Sequence, residues 1–465
     1  QRGAVNLLEL LSSEANIRIT QDAILGGGVA INGIRGENVK ILIDGVPVTG
    51  RMDGNIDAGQ LPLGAVQQVE VIEGAQSLMY GSEASAGVVN LISKRSQPHK
   101  VEGEVTALQE SNGFRSLQAR TGVRLGKFFL QLNGSDIAFN PKADTSSRDQ
   151  LWNPKDQQSG RGVLRYTPND RLDIKFSGGI FDEVVTNKGA LRRPQYKPYA
   201  FDEYYHTHRN DASLQVEKWS KNKSFFWQTT AGANTFLRKR NTYRYEFDTE
   251  TQSLLAGEQD TISAEGYLLR STIASNRKHK KVDFLAGFEG YQETAEGVRL
   301  IDTTATRPGY AVSRDLGIFG SAKWRIFLQF TVQAGARQTF NQVFGSAFSP
   351  SAWFVWRPSN TVTVKGSYAN GFRSPALKEL YFQFIDINHY VIGSPDLQPE
   401  RSHNVRAELN WDAFSGSKWT LKTGTHGFYN QIAERIILTE FAPAQFQYQN
   451  IATWKTTGAG ANFTL

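Results

Sequence analysis

After Lys94 the chain alternates apolar and polar residues with a period of two and holds that rhythm to its last residue. In Arg171-Leu172-Asp173-Ile174-Lys175-Phe176-Ser177 every apolar side chain falls on one face of a strand and every polar one on the other. Phe128, Leu130 and Leu132 alternate with Gln131 and Asn133, and Val362, Val364 and Tyr368 alternate with Thr361, Thr363, Lys365 and Ser367. No stretch approaches ~20 consecutive apolar residues, so helical membrane spans are excluded. Two architectures fit such a pattern: a soluble sandwich, or a barrel that crosses a membrane with strands.

The connections favour the barrel. Short turns at Gly126-Lys127, Pro168-Asn169-Asp170, Lys221-Asn222-Lys223 and Arg357-Pro358-Ser359-Asn360 alternate with long excursions near 139–160, 183–209, 241–261, 295–311 and 373–399. Trp219, Trp324, Trp356, Trp411 and Trp419 sit within a few residues of a tight turn, as an interfacial aromatic girdle requires. From Val101 the pattern gives roughly sixteen strands of nine or more residues, each long enough for a tilted crossing. With 43 Gly, 28 Phe, 16 Tyr and 9 Trp, the composition suits turn-rich β structure.

Charge and cysteine usage exclude other classes. The formal charge of +7 comes from Lys and Arg spread among Asp and Glu, with no basic block, so no nucleic acid partner is expected. There is no cysteine, hence neither a disulfide framework nor a thiolate metal site. No Gly-rich phosphate loop ending in Lys-Ser/Thr, no His-Glu-x-x-His and no Gly-x-Ser-x-Gly is present, so no catalytic activity and no cofactor are expected. Glu289 and Glu293 read as lumen-facing polarity on a strand.

Residues 1–95 have a different texture. Val5, Leu7, Leu8 and Leu11 can share a helix face over Ala4–Leu11, and Gly26-Gly27-Gly28 reads as a flexible turn. Ile41-Leu42-Ile43 and Val46-Pro47-Val48 flank Asp44-Gly45, a pair that supplies positive φ for a tight hairpin. Then come Val69-Glu70-Val71-Ile72-Glu73-Gly74, Tyr80-Gly81-Ser82 and Asn90-Leu91-Ile92-Ser93-Lys94. With Ile34-Arg35-Gly36 at its head, this series in this order resembles the plug domain of TonB-dependent outer-membrane receptors.

A second set of residues carries the same resemblance. Gly371-Phe372-Arg373-Ser374-Pro375, Leu377-Lys378-Glu379-Leu380-Tyr381 and Gly393-Ser394-Pro395-Asp396-Leu397-x-Pro399-Glu400 are similar to the paired Phe-Arg-Ala-Pro and Asn-Pro-Asp-Leu boxes of those receptors. Ser374 stands for Ala and Ser394 for Asn. The resemblance implies a plug (1–95) inside a transmembrane antiparallel barrel (96–465), with about 16 of about 22 strands present. Neither an energy-coupling box nor a terminal aromatic residue is found, and Gln1 opens no signal peptide. A piece of a longer chain is expected.

The implied function is energy-coupled uptake of a bulky, scarce nutrient in the bacterial outer membrane. An iron chelate, siderophore or haem, stands first; cobalamin or an oligosaccharide follows, and a passive porin or a soluble β-rich binding protein are the rivals. Implied partners are the TonB protein of the inner-membrane complex, outer-membrane lipid and a surface lipoprotein. His389, with Tyr381 and Tyr390 beside it, is a candidate ligand for haem iron. A basic aromatic loop, Arg192, Arg193, Tyr196, Tyr199 and Tyr204 with His206 and His208, suits a planar anionic cargo. For plug–barrel contacts the candidates are Arg35 and a pair of Glu73 with Arg406, charge-reversed relative to the family pattern.

Overall fold

The computed structural model describes all residues except 1–2, 15, 53, 75, 142–147, 149–151, 277–280, 302–308, 386–389 and 417–418. Its first helix, α1 (Leu7–Leu11), is a single turn capped by the Asn6 side chain, which accepts from Glu9 N at 3.0 Å. It is shorter than the Ala4–Leu11 expectation because Val5 precedes the cap. Strands β1 (Ile17–Asp22), β2 (Gly26–Ile31) and β3 (Ile34–Arg35) form one antiparallel sheet. Gly26-Gly27-Gly28 is therefore strand, not the flexible turn read from sequence. A Cβ on Gly27 would meet the Leu8 side chain at 2.3 Å and one on Gly28 would meet Asn55 at 2.6 Å, so these glycines serve close packing.

The second plug sheet orders β5 (Val46–Pro47), β4 (Val39–Ile43), β7 (Gly87–Ser93) and β6 (Val66–Glu73), with β4 and β7 parallel. Asp44 (φ 50°) and Gly45 (φ 80°) turn the β4–β5 hairpin as expected. A one-turn helix, α2 (Ser77–Tyr80), leads into β7. Leu7, Leu11, Val29, Ile31, Ile41 and Val89 form the plug core, and Ile432 from the wall joins it.

The wall begins with β8 (Val101–Gln109), β9 (Phe114–Leu125), β10 (Phe128–Phe139), β11 (Lys155–Asn169), β12 (Leu172–Lys188), β13 (Tyr199–Trp219) and β14 (Phe225–Glu246). After a short arm, β15 (Thr251–Leu254), come β16 (Asp260–Ser275), β17 (Val282–Gly297), β18 (Tyr310–Phe327), β19 (Phe330–Asn341), β20 (Gly345–Trp356) and β21 (Val362–Arg373). Helix α3 (Leu377–Tyr381) and a hairpin of β22 (Gln383–Ile385) and β23 (Tyr390–Ile392) precede β24 (Glu400–Ser415), β25 (Thr420–Ala442) and β26 (Gln445–Thr464). Leaving out β15, β22 and β23, sixteen strands make one antiparallel sheet that curls into a barrel around the plug. Among the described residues the antiparallel ladders run unbroken from β8 through β21 and β24 to β26, and the sheet closes into a barrel with β26 beside β8.

Burial along the wall is inverted relative to a protein dissolved in water. Gln131 and Asn133 are 1% and 8% exposed, whereas Phe128, Leu130 and Leu132 are 41–50% exposed. Lys175 and Ser177 are sealed against the plug while Phe176 between them is 49% exposed. A sandwich would bury the apolar row; only an apolar solvent outside and a polar lumen inside make this arrangement favourable. Trp324, Trp356, Trp411 and Trp419 stand exposed beside the tight-turn end. At the other end the loops are shorter than expected: much of 183–209 and 241–261 is strand, because β12, β13, β14 and β16 run on past the apolar band.

Candidate functional site

The plug is seated by polar side chains whose spacing on the wall follows from the two-residue period. At the β4–β5 turn, Asp44 Oδ1 accepts from Lys175 Nζ (2.6 Å) and Ser93 N (2.9 Å), and Oδ2 accepts from Ser177 Oγ and Ser93 Oγ (both 2.7 Å). Gln215 Nε2 donates to Asp44 O at 2.6 Å. Burial pushes the Asp44 carboxyl up, but the Lys175 ammonium and these donors outweigh it and hold the group below its ordinary value. Further along the plug, Arg209 donates to Gln60 Oε1 (2.7 Å), Thr49 O (2.7 Å) and Gly50 O (3.2 Å). Gly50 (φ +81°) is obligatory there, since a Cβ would lie 2.1 Å from Phe236.

Beyond this seat lies a chamber of about 210 Å³. Plug segments Gly50–Met52 and Ser82–Glu83 floor it, β16, β17 and β18 wall it, and Ser374–Lys378 with Phe382 roof it. Tyr291 and Glu293, an i, i+2 pair on β17, both face it. From the chamber's edge a column of guanidinium–ring stacks climbs the inner face of β13 and β14. Arg209 lies 4.4 Å from the Phe236 ring, Arg238 5.0 Å from Tyr205, Arg192 4.8 Å from Phe201 and Arg244 4.2 Å from Tyr199. Because inward residues recur every second position, the odd-numbered aromatics of β13 and the even-numbered arginines of β14 share the lumen face.

The roof is tied to the plug through one buried cation. Arg373 Nη1 and Nη2 fork onto Glu379 of α3 (2.8 and 3.1 Å), and Nη2 also donates to Glu400 Oε1 at 2.6 Å. Glu400 Oε2 accepts from the plug's Asn38 Nδ2 at 3.1 Å, and Ser82 Oγ accepts from Ser374 N at 2.8 Å. One guanidinium thus faces two carboxylates. Burial pushes the Glu379 carboxyl up to about 7, even with Arg373 beside it and with Glu37 adding repulsion.

Comparison with known proteins decides what this assembly is. Residues 122–464 match the family model described as TonB dependent receptor-like, beta-barrel, and residues 1–88 match the TonB-dependent Receptor Plug Domain. The chain belongs to the TonB-dependent receptor family. It is accordingly an outer-membrane protein of a transport-receptor family. A curated relative, the iron-regulated outer membrane virulence protein of Vibrio cholerae, is 26% identical over 437 residues, 89% of this chain and 62% of its own length. The vitamin B12 transporter BtuB of the same species is 24% identical across 97% of this chain and 68% of that protein. This receptor chain thus spans about 62% of the length of the first relative it matches. Among solved structures, the ferric enterobactin receptor PfeA of Pseudomonas aeruginosa superposes with a TM-score of 0.78 at 16% identity, covering 100% of this chain and 76% of that one. At that identity the likeness is one of fold.

The receptor distributes the sequence-derived candidates unevenly. Arg192 and Tyr199 stand in the inward column, whereas Arg193 and the fully exposed Tyr196 project at the loop tip. Tyr204, His206 and His208 take the opposite parity on β13 and face outward. His208 pairs with Asp182, and Tyr204 meets Tyr243 edge-on. They therefore do not join a lumen site, and the loop reading failed because this stretch is strand. Tyr381 packs on the cluster of Leu377, Leu380, Leu397 and Ile436, whereas Tyr390 in β23 leans on Phe441 of β25, so the two do not converge. His389 lies outside the described residues, as does the side chain of Arg35.

Glu73 and Arg406 are brought together: the Arg406 guanidinium donates to the Glu73 carboxylate, which also accepts from Asn16 and Asn32. Both side chains keep 20–27% exposure, so the pair is worth about 0.5–1 kcal/mol. Arg406→Glu alone is expected to lower the urea concentration at which a protease cleaves the plug slightly, and adding Glu73→Arg to restore it. An exchanged variant no firmer than the sum of its single changes would remove this pair from the seat.

Sequence reasoning missed the Asp44 seat, Arg209, the chamber and the Arg373 junction. Asp44 and the two boxes were in view, but as turn chemistry and as family marks. Their partners lie up to 362 residues away along the chain, as with Asn38 for Glu400.

Proposed function

We propose that the receptor takes up an iron chelate, with the cargo descending the guanidinium–ring column to the chamber roofed by α3. The observation that carries this reading is the column itself. Cation and ring faces stacked along the inner wall suit a planar, anionic, metal-holding ligand better than a neutral sugar. The iron-regulated relative supports the same reading. Transport then needs work on the plug, supplied in this proposal by the TonB protein of the inner-membrane complex, because a wall this wide would leak if the plug simply fell away.

The test is titration of the full-length receptor with a ferric siderophore, haem and cobalamin. The ferric siderophore is expected to bind, and replacing Arg192 and Arg244 together by Ala is expected to weaken it about tenfold or more. Haem binding with a Soret shift lost in His389→Ala would redirect the proposal to haem. Binding of cobalamin alone would overturn it.

A further inference from the structure

The chamber's polar groups differ in whether the protein already uses them. Lys40 Nζ donates to Tyr80 O (2.7 Å) and Ser82 O (3.0 Å). Arg51 is committed to three plug carbonyl oxygens, those of Gly36, Gly54 and Val39, and to Glu83 at 3.1 Å. Arg299 stands 3.5 Å from Asp260. Among the cations that line the chamber only Lys378, on the roof helix 5.0 Å from the Phe382 ring, carries no carboxylate or carbonyl partner among the described residues.

On the acceptor side the position is reversed. Glu293 has no hydrogen bond or ion pair to any described residue, nor has the Tyr291 hydroxyl, and Asp315 takes a single hydrogen bond, from Asn341 Nδ2 at 2.7 Å. Half-buried carboxylates left short of donors in an enclosed space are costly, and a ligand bringing N–H donors removes that cost. Size sets a second limit. At about 210 Å³ the space is below the ~300–1,000 Å³ of sites that hold whole ligands, so one arm of a chelate fits and its metal centre does not.

We propose that the chamber seats an ammonium-bearing arm of the ferric chelate, with Glu293 as counter-ion, Asp315 as second acceptor and the Tyr291 ring alongside. The metal and its anionic donor atoms then stay above, against the arginine column. Cargo selection is divided: the column reads the chelate's charge, and the chamber reads the arm's end group. This inference rests on the iron-chelate reading.

The test compares matched pairs of ferric chelates on the full-length receptor, one pair on a hydroxamate scaffold and one on a catecholate scaffold. Each pair has a terminal primary amine and its N-acetylated twin. The amine form is expected to bind at least tenfold tighter on the scaffold the receptor accepts, and Glu293→Gln to shrink that ratio toward one. Binding of both twins with equal affinity overturns the ammonium arm and leaves the iron reading standing, and so does a ratio unchanged in Glu293→Gln. Failure of every ferric chelate to bind, with cobalamin bound, overturns both. The wild-type ratio alone decides the matter if the variant does not fold.

Discussion

Arg373→Met is expected to free the chamber roof from the plug at a cost of about 3–5 kcal/mol, because it strands the Glu379 and Glu400 carboxylates together in a site that excludes water. Both carboxylates are nearly inaccessible, and Arg373 is the only cation that pairs with them among the described residues. Hydrogen exchange should show 374–382 losing protection while the wall strands keep theirs. Glu379→Gln should be tolerated far better, since one guanidinium balances only one of its two partners. The pH dependence has a definite sign. Glu379 titrates at about 7 in the folded receptor and near the ordinary ~4.3 when unfolded, so between those values the folded form holds the extra proton. Protection of the roof should therefore rise as pH falls through 7. Unchanged exchange in Arg373→Met would mean that apolar packing of Leu377, Leu380 and Leu397 holds the roof by itself.

Asp44→Ala is the second large effect, again about 3–5 kcal/mol, because it leaves the Lys175 ammonium without a counter-ion against the plug. Planar-bilayer recordings of the full-length receptor in moderate urea should show open-pore events at a lower denaturant concentration than wild type. Asp44→Leu combined with Lys175→Met should recover most of the loss, since no charge is then left unpaired. For Asp44 the pH sign runs the other way. Its folded carboxyl titrates below the unfolded ~3.9, so the stabilisation is complete above that value and fades as pH falls through the lower folded value. A pore that stays closed in Asp44→Ala up to the wild-type urea concentration would show that the seat depends on Arg209 instead.

What the sequence disclosed follows from how local each signal is. The Asp44-Gly45 hairpin was legible because positive φ at both positions is a property of the turn residues themselves. The strand count was legible because lipid outside and water inside impose opposite polarity on successive residues. That contrast vanishes above the apolar band, where both faces of β12–β14 are wet and aromatic. From spacing alone Tyr204, His206 and His208 look like loop residues, and their outward parity shows only through the ladders with β12 and β14. The Arg373 junction was hidden for another reason. Glu379 and Glu400 are 6 and 27 residues away, and nothing in spacing alone distinguishes a salt-bridged carboxylate from a solvated one.

The inverted burial of the wall has a consequence for how such a receptor diversifies. Each strand interleaves two independent scripts, one answering to hydrocarbon and the other to cargo and plug, and a substitution in one leaves its neighbour's audience untouched. Arg244 can be redrafted for a new cargo while Leu214 and Tyr267 go on satisfying the bilayer.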